Sequence, residues 1–489
     1  MNSMRQLFLL LLIASSAGAQ TSNFVEQPYL QLGDNPRLKT AEALVLLWHA
    51  PDIDTAWAVE LRTSKDSDWR QAAKPSFQIA SAPAIKLTTG KPPIEVDVPA
   101  IEAHRIYRAT LPNLIPGEEF RYRVLKAGKP VFTATGHARK SASQPYRLVL
   151  FGDCAQDTAE QRQIAYQASL AKPDFLLITG DIVYTYGRIS EYRTKYFPVY
   201  NNDTASPATG APLTRSIPFL AAPGNHDTAL RNFGLYPDAL AYFLYWDQPL
   251  NGPVAPADTP KTTVTLLGNS QAQATFREAA QPRFPRMANY SFDYGNAHWT
   301  VLDSNPYMDW QDTTLLEWLK QDLAQAKGAQ WRFVAFHHPG FNSSLSHFTD
   351  QWMRLLAPAF ENSKVDVVFS GHVHNYQRSF PLTFQPKKQE DGTWKGPLGQ
   401  VAGEWALDKK FANGAAHKPV GTIYIVSGAG GAHLYNSEQQ DKPESWQPFT
   451  DKYIAKVNSM SIIDVNGKTF RMKQVDATGV EVDRFEIRK

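Results

Sequence analysis

Hydrophobic and polar positions follow one pattern up to about residue 136 and a different pattern beyond residue 145. In the first part, short runs alternate between apolar and polar residues, as in Phe120-Arg121-Tyr122-Arg123-Val124, and turns separate them. Such alternation is typical of strands with one face in solvent. It predicts strands over residues 43–48, 56–62, 105–111 and 119–125. We therefore expect an all-β sandwich over residues 20–140, with the proline-rich residues 81–100 as an inserted loop.

Beyond a polar linker at residues 138–145, β-branched and aromatic runs alternate with stretches of helical periodicity. Strands are predicted at residues 147–151, 175–179, 219–222, 299–302, 332–336, 365–369, 422–426, 459–465, 469–475 and 482–487. Helices are predicted at residues 158–171, 313–327 and 349–361. This alternation indicates an α/β layered domain over residues 141–489. Two long segments, residues 187–216 and 228–285, are expected to be irregular insertions that are either disordered or part of a site.

The N-terminus has the pattern of a secretory signal peptide. Arg5 supplies a positive charge, residues 7–14 form an apolar run, and Ala17-Gly18-Ala19 offers small residues for cleavage. The apolar run is too short to span about 30 Å of hydrocarbon. We expect residues 1–19 to be removed and the remaining protein to be secreted or periplasmic, without stable membrane association.

Composition narrows the possible partners and the compartment. The formal net charge is only +3 over 489 residues, which gives no field that would recruit nucleic acid or an anionic membrane. Cys154 is the single cysteine, so no intramolecular disulfide can form. An exported protein without disulfides depends on its hydrophobic core, and a periplasmic or bacterial exterior location would suit it. Nothing in the composition indicates an oligomeric state.

Five of the predicted strands are followed at once by residues that metals prefer as ligands. These are Gly152-Asp153, Gly180-Asp181-Ile-Val-Tyr184, Gly224-Asn225-His226-Asp227, His337-His338-Pro339 and Gly371-His372-Val-His374. Because the carboxyl ends of strands in an α/β sheet share one rim, these groups should converge on one crevice. Each glycine is expected to let the backbone turn sharply off its strand.

The types of residue indicate the kind of ion. Carboxylate, phenolate, amide oxygen and imidazole are hard to borderline ligands, which suit iron, manganese or zinc. The predicted ligands are Asp153, Asp181, Tyr184, Asn225, His337, His372 and His374. Seven are too many for one such ion and sufficient for two if Asp181 bridges. Two ions a few ångströms apart can hold an attacking hydroxide and the oxygens of a phosphoryl group in line.

With these motifs the chain resembles the calcineurin-like metallophosphoesterases and, within them, the purple acid phosphatases. The subfamily signature is Gly180-Asp181-x-x-Tyr184. Further matches are Phe336-His337-x-Pro339-x-Phe341-Asn342-Ser343, Gly371-His372-Val-His374-x-Tyr376-x-Arg378 and Tyr290-Ser-Phe-Asp-Tyr294-Gly295. The resemblance covers essentially the whole mature chain. It implies a fibronectin-type-III-like β-sandwich followed by a four-layer αββα catalytic domain.

The resemblance also implies a role for each site residue. Asp153, Tyr184 and His374 would bind a first metal, iron(III), and Asp181 would bridge the two metals. Asn225, His337 and His372 would complete the second site, with iron, zinc or manganese. His226 and His347 match the positions that contact phosphate and protonate the leaving group. The implied reaction is hydrolysis of small-molecule phosphate monoesters by in-line attack of metal-bound hydroxide.

One departure and two alternatives accompany this hypothesis. The first motif normally ends in glycine, whereas here Ala155 follows Gly152-Asp153-Cys154, and its Cβ is expected to shift Asp153 if the backbone needs a positive φ. The same metal site could serve a phosphodiesterase or nucleotide hydrolase. The chain could instead be an inactive scaffold whose sandwich binds glycans or a surface partner, but the presence of all seven ligands argues against this.

Overall fold

A computed structural model gives the fold and describes residues 23–38, 40–89, 93–411 and 418–489. The expected signal peptide over residues 1–19 lies outside these ranges. Within them, no helix has both the length and the apolar character needed to cross a membrane.

The N-terminal part consists of two antiparallel sheets of four strands each. One sheet has the strand order Glu26–Gln31, Glu42–Pro51, Ile101–Leu114, Ser76–Ala82, and the other Lys129–His137, Glu119–Lys126, Trp57–Arg62, Arg70–Gln71. Phe120, Tyr122 and Val124 are buried, whereas Arg121 is exposed, as the alternating pattern predicts. The predicted β-rich N-terminal part is therefore confirmed.

Residues 81–100 are not an open loop, so that prediction was wrong. The strands Ile85–Thr89 and Ile94–Val98 pair antiparallel as a hairpin outside both sheets of the sandwich. Pro83, Pro93 and Pro99 flank these strands. Because proline interrupts a ladder only where its missing N–H is needed, the prolines at the ends leave the pairing intact.

The C-terminal part contains two larger sheets. The first has six strands in the order Phe219–Ala221, Phe175–Ile178, Tyr146–Phe151, Ser459–Asn466, Thr469–Asp476, Glu481–Arg488. The second has seven in the order Tyr290–Tyr294, Ala297–Val301, Trp331–Ala335, Val367–Ser370, Ile423–Ser427, Tyr376–Ser379, Thr450–Ile454. In both sheets the strands that precede the predicted ligands run parallel to one another.

Helices cover the outer faces of the two sheets, and the sheets pack face to face. Successive residues of a strand point to opposite faces, so Leu148 and Val149 enter different hydrophobic clusters. Three apolar layers result: Val149 shares one with Ile164 of helix Ala159–Ala171, and Leu148 shares the one between the sheets with Phe333. Val334 shares the third with Leu319 of helix Thr313–Gln325. This arrangement confirms the predicted α/β class and its four layers.

Two of the three predicted helices are found at the expected places, and the third is shorter. Ala159–Ala171 begins after Thr158, whose side chain accepts a hydrogen bond from the Gln161 N–H. The helix predicted at residues 349–361 is instead a 3₁₀ turn, Trp352–Leu356, followed by Ala357–Asn362. Pro358 lies in the first turn of that α-helix, where proline is tolerated because no N–H is required.

The two segments predicted to be irregular contain ordered elements. Residues 187–216 form the helical turns Ile189–Glu191, Tyr192–Tyr196 and Phe197–Tyr200 and the hairpin Asn201–Ser206 with Gly210–Pro212. Residues 228–285 include Tyr242–Tyr245 and a helix of eleven residues, Ser270–Ala280. Of that helix only Phe276, Ala279 and Ala280 are buried, so its apolar pattern was too sparse to predict it.

The remaining elements are short. They are Asn225–Thr228, Arg286–Ala288, Ala326–Gly328, Ser437–Asp441, Pro443–Ser445 and the hairpin Leu382–Pro386 with Gly403–Leu407. The last hairpin carries residues 387–402 in its connection, close to the site described below.

A buried ion pair joins the sandwich to the C-terminal part. The Arg139 Nε donates to Glu42 Oε2 over 2.5 Å, and its Nη1 donates to the Asp293 carbonyl over 3.0 Å. Both charged side chains are fully buried. Loss of one partner would leave the other charge buried and unpaired, which is strongly destabilising. This contact therefore fixes the direction in which the linker leaves the sandwich.

Candidate metal centre

The predicted ligands follow the ends of five parallel strands, but these strands belong to two sheets. Asp153, Asp181 and Asn225 follow the strands Tyr146–Phe151, Phe175–Ile178 and Phe219–Ala221 of the six-stranded sheet. His337 and His372 follow the strands Trp331–Ala335 and Val367–Ser370 of the seven-stranded sheet. The crevice therefore lies where the carboxyl edges of two stacked sheets meet, whereas a single rim was expected.

The sharp turns are made by the ligands themselves. Asp153, Asp181 and His372 have φ values of 59°, 51° and 68°, in the left-handed region that residues other than glycine seldom adopt. A glycine precedes each because there is no room for a Cβ: at Gly371 it would lie 2.6 Å from Asp153 Oδ2. Backbone strain of this kind is often found at functional sites, where the surrounding structure maintains it.

The first group of ligands comprises Asp153, Tyr184 and His374. The Tyr184 hydroxyl oxygen lies 3.2 Å from Asp153 Oδ1 and 2.9 Å from His374 Nε2. The same Nε2 lies 3.4 Å from Asp153 Oδ1. His374 Nδ1 donates to the His433 carbonyl over 2.5 Å, which leaves the lone pair on Nε2 directed toward the other two oxygens. We call these three residues the tyrosine half of the site.

The second group comprises Asn225, His337 and His372. Asn225 Oδ1 lies 3.1 Å from His337 Nε2, which lies 3.2 Å from His372 Nδ1. His337 Nδ1 donates to the Thr179 carbonyl over 2.8 Å, and His372 Nε2 donates to Asp350 Oδ2 over 3.1 Å. The free nitrogens of both rings therefore face each other, and that of His337 also faces the Asn225 oxygen. We call these three residues the histidine half of the site.

Asp181 lies between the two halves. Its Oδ1 is 3.3 Å from His337 Nε2 and accepts a hydrogen bond from the His226 N–H over 2.9 Å. Ligand atoms of Asp153, Asp181 and His337 all lie within 4.8 Å of one another. Asp181 therefore contacts the histidine half and lies within the same 4.8 Å cluster as Asp153 of the tyrosine half.

The electrostatics of this cluster favour cations. Burial raises the pKa of Asp181, but the His337 and His226 imidazoles outweigh burial and hold it well below its usual range. Burial lowers the pKa of His337, yet Asp181 outweighs burial and raises it to about 9. Burial and the Asp153 carboxylate raise the pKa of the Tyr184 phenol well above its ordinary value. A phenolate can therefore exist here only beside a strong positive charge.

The donor set fits two transition-metal ions. Each of the three imidazoles gives one nitrogen to a carbonyl or carboxylate and presents the other to the cluster. Outer partners of this kind fix the tautomer and the orientation of metal-binding histidines. Two carboxylates, a phenol, an amide oxygen and three imidazoles are the hard and borderline ligands that iron, zinc and manganese accept.

Two further histidines lie at the edge of the cluster. His226 Nδ1 donates to the Thr185 carbonyl over 2.7 Å, and its Nε2 lies 3.8 Å from Asp181 Oδ2. The His347 ring lies 4.0 Å from the His372 ring, and its Nδ1 donates to Asp350 Oδ2 over 3.1 Å. About a third of each side chain is exposed, 30% for His226 and 36% for His347. Both can therefore reach a ligand in the crevice.

Asp350 was not predicted from the sequence, although it contacts both a predicted ligand and a predicted catalytic residue. One of its oxygens accepts from His372 and from His347. These two imidazoles hold its pKa at about 2 against the effect of burial, which raises it. The sequence signal available for Asp350 was its position three residues after His347, in a segment that begins with a turn.

Asp227 and Tyr435 are two other residues that the sequence did not single out. Asp227 accepts from the N–H groups of Gly224 and Ile182, and so ties the turn of Asn225 to that of Asp181. The Tyr435 ring stacks on the His374 ring at 4.0 Å. Tyr435 comes from the distant segment after strand Ile423–Ser427, so no local pattern could indicate the contact.

Ala155 does not strain the first motif, because its backbone does not need a positive φ. The left-handed residues near it are Asp153 and Asp157, and Ala155 has no positive φ. Its N–H donates to the Ile182 carbonyl over 3.1 Å, and its carbonyl accepts from the Tyr184 N–H over 3.1 Å. Ala155 therefore holds the Tyr184 backbone in place, with its own side chain fully buried.

Comparison with known proteins agrees with this geometry. Residues 146–376 match the family model of the calcineurin-like phosphoesterases. A probable inactive purple acid phosphatase 1 of Arabidopsis thaliana is 25% identical over 416 residues, which cover 78% of this chain and 58% of that protein. Purple acid phosphatase 23 of the same plant is 24% identical over 300 residues, which cover 56% of this chain and 57% of that protein.

A third relative and one solved structure extend the comparison. A nucleotide pyrophosphatase/phosphodiesterase of Hordeum vulgare is 26% identical over 321 residues, which cover 62% of this chain and 73% of that protein. A purple acid phosphatase from yellow lupin, Lupinus luteus, matches 94% of this chain and 74% of its own with a TM-score of 0.60. At 17% identity this last likeness shows the fold alone. The chain spans less than three fifths of the length of the two Arabidopsis relatives.

The family match, the donor set and the curated relatives all point to the same class, the metal-dependent phosphoesterases. Residues 146–376 form a calcineurin-like phosphoesterase domain, and the chain is similar to purple acid phosphatases. A fold of this kind implies a dinuclear metal site, and the candidate histidine and aspartate clusters lie at the strand ends described above.

Proposed function

We propose that the protein hydrolyses phosphate monoesters of small molecules with two metal ions held by the seven predicted ligands. The tyrosine half would bind iron(III), and the histidine half would bind iron, zinc or manganese, with Asp181 bridging. One observation carries the proposal: in one crevice the free nitrogens of His337 and His374 face carboxylate, phenol and amide oxygens, and that of His372 faces His337. When bound, two such ions would supply a hydroxide nucleophile and neutralise charge on the phosphoryl oxygens.

His226 would contact the phosphoryl group. The Thr185 carbonyl fixes its Nδ1–H, so the opposite nitrogen is directed toward the crevice and the outer oxygen of Asp181. In its protonated form that nitrogen can donate to an equatorial oxygen, where charge develops during transfer.

His347 would protonate the departing oxygen. Its Nδ1–H is held by Asp350, which leaves Nε2 as the nitrogen that carries the transferred proton. The proton is needed as the bond between phosphorus and the leaving oxygen breaks, because an alkoxide is otherwise a poor leaving group. The products are inorganic phosphate and an alcohol or phenol.

A second candidate function keeps the same metal site but takes a phosphodiester or a nucleotide. The observation that favours it is the likeness to the Hordeum vulgare protein, which is named a nucleotide pyrophosphatase/phosphodiesterase. Both substrates would place one phosphoryl group in the crevice, and they differ in whether a second ester group must be accommodated.

The two candidate functions are distinguished by comparing how fast the metal-loaded protein hydrolyses phenyl phosphate and diphenyl phosphate. We expect the monoester to be cleaved with the higher kcat/KM, and activity to vanish after chelation and to return with added metal. A dominant diester rate would support the second candidate. If metal-loaded protein cleaved neither ester, the proposed function would be wrong, and an inactive scaffold like some named relatives would remain.

We also propose that the protein is exported and cleaved after Ala19, and that residues 20–140 and 141–489 are its two domains. Mass spectrometry of protein expressed from the full sequence in a bacterium tests the first point, with a mature chain that begins at Gln20 as the expected product. A chain that retains residues 1–19 would contradict export by this route.

A further inference from the structure

A cavity of about 530 Å³ opens beside the histidine half of the site. Asn225, His347, Asp350 and His372 form its inner end. Its outer end is formed by the connection of the hairpin Leu382–Pro386 with Gly403–Leu407. This volume lies within the range of ordinary ligand pockets and exceeds what a phosphate group alone would fill.

The side walls of the cavity are apolar. Met308 and Trp352 contribute to this lining together with Leu398, which lies on the hairpin connection. The Trp352 indole N–H donates to the Ser304 carbonyl over 2.8 Å, which fixes the ring. Leu398 is 67% exposed and leaves the wall incomplete without a further apolar group against it. Such walls favour a leaving group with a substantial apolar or aromatic body.

One cation lines the cavity without an acidic partner. Lys395 lies on the hairpin connection, and among the described residues no carboxylate is within ion-pair distance of its ammonium group. Asp350 is the one carboxylate on the cavity wall, and its oxygen already accepts from His347 and His372. The outer end of the cavity therefore presents an uncompensated positive charge.

We propose that this cavity binds the leaving group of the substrate and selects esters whose leaving group joins a bulky apolar body to an anionic group. We call it the leaving-group cavity. The inference rests on the proposed function, because His347 must lie next to the leaving oxygen to protonate it. With that oxygen at His347, the rest of the leaving group extends into the space between Trp352 and Leu398 and toward Lys395.

The test compares two aromatic monoesters of similar shape, 4-carboxyphenyl phosphate and its neutral analogue 4-carbamoylphenyl phosphate. For the wild-type holoenzyme we expect a higher kcat/KM with the carboxylate. Lys395→Gln should lower that preference roughly 2- to 5-fold, the range of a partly exposed ion pair, because it should lower kcat/KM for the carboxylate ester more than for the neutral ester. Lys395→Arg should retain the preference, whereas Lys395→Glu should reverse it.

Two further variants keep the test independent of total charge and of folding. Lys388→Gln removes a lysine from the same hairpin connection that does not line the cavity, and it should preserve the preference. Leu398→Lys adds a cation at an exposed wall position, and it should increase the preference for the carboxylate.

The outcomes separate this inference from the proposed function. If both esters are cleaved and Lys395→Gln and Leu398→Lys leave their ratio unchanged, the leaving-group assignment is wrong and the hydrolase assignment stands. If Lys388→Gln alters the ratio as much as Lys395→Gln does, a general charge effect replaces the cavity. If neither ester is cleaved by metal-loaded protein, the proposed function itself fails.

Discussion

The tyrosine half and the histidine half of the site are built alike but differ in their surroundings. In the tyrosine half, Asp153, Tyr184 and His374 are almost completely buried, and the Tyr435 ring covers His374. In the histidine half, His372 and the partly exposed Asn225 line the leaving-group cavity. The enclosed half is suited to holding one ion in a constant environment, and the open half is suited to substrate exchange. Changes in the two halves should therefore have different consequences.

Removal of the shared carboxylate should have the largest effect. Asp181→Ala takes away the group between the halves, so we expect both ions to be lost. Loss of the several kcal/mol that metal ions supply corresponds to a decrease in kcat/KM on the order of 10³-fold or more. Metal content by mass spectrometry and hydrolysis of 4-nitrophenyl phosphate measure this. If the variant still binds two ions, Asp181 does not bridge.

His347→Ala tests the proton donor beside the histidine half without removing a metal ligand. We expect a decrease in kcat of about 10²- to 10⁴-fold for an alkyl phosphate, the usual contribution of a general acid. The decrease should be much smaller for 4-nitrophenyl phosphate, whose phenolate leaves without protonation. Metal content should not change. Equal decreases for both esters would show that His347 is not the proton donor.

Asp350→Asn should have an intermediate effect, because Asp350 orients both His347 and His372. Loss of an outer partner of a metal ligand costs about 10- to 100-fold in metal affinity or activity. Metal titration should show weaker binding of the second ion only, and Asp350→Glu should restore part of it. Unchanged affinity for both ions would mean that the Asp350 contact does not support the histidine half.

Tyr184→Phe should have the smallest effect on activity and the largest on colour. If Tyr184 ligates iron(III), the wild-type protein should be violet from phenolate-to-metal charge transfer, and the variant should be colourless. We expect kcat to fall by less than about tenfold, since the phenol does not carry a transferred proton. A visible absorption spectrum decides the point. A colourless wild-type protein would contradict iron(III) in the tyrosine half but not the hydrolase.

His298 offers a control outside both halves. Its ring lies between Asp293 Oδ1 at 2.7 Å and Asp322 Oδ2 at 3.1 Å. Burial lowers its pKa, but the two carboxylates outweigh burial and raise it from 6.5 to about 9. The contribution of protonated His298 to the free energy of unfolding is therefore complete below pH 6.5 and is lost as the pH rises through about 9. Urea unfolding of the wild type should show this decrease, and His298→Gln should lack it. A parallel decrease in both proteins would exclude His298 as the cause.

Much of the fold and of the ligand set could be predicted from local sequence. Five of the seven ligands, Asp153, Asp181, Asn225, His337 and His372, come within three residues of the ends of predicted strands. They were predictable because a parallel strand brings its last residues to one edge whatever follows later in the chain. Helix Ala159–Ala171 was predictable because Thr158 caps a regular apolar pattern. Cys154, the single cysteine, is buried, and its thiol donates to the Ile182 carbonyl.

What the sequence did not reveal depends on contacts between distant segments. Tyr435 covers His374, and Lys395 and Leu398 complete a cavity from a hairpin connection. Neither contact produces a periodicity or a spacing in the sequence from which it could be predicted. The division of the ligands between two sheets was missed for the same reason, since order along the chain does not specify which strands pair.

Anomalous diffraction from crystals of the purified holoenzyme tests the central claim most directly. The account predicts two metal peaks about 3.5–4 Å apart, the spacing of two-metal catalytic sites, with Asp181 between them. One peak should be surrounded by Asp153, Tyr184 and His374 and show an iron absorption edge. The other should be surrounded by Asn225, His337 and His372. A single peak, or peaks that these residues do not surround, would contradict the account.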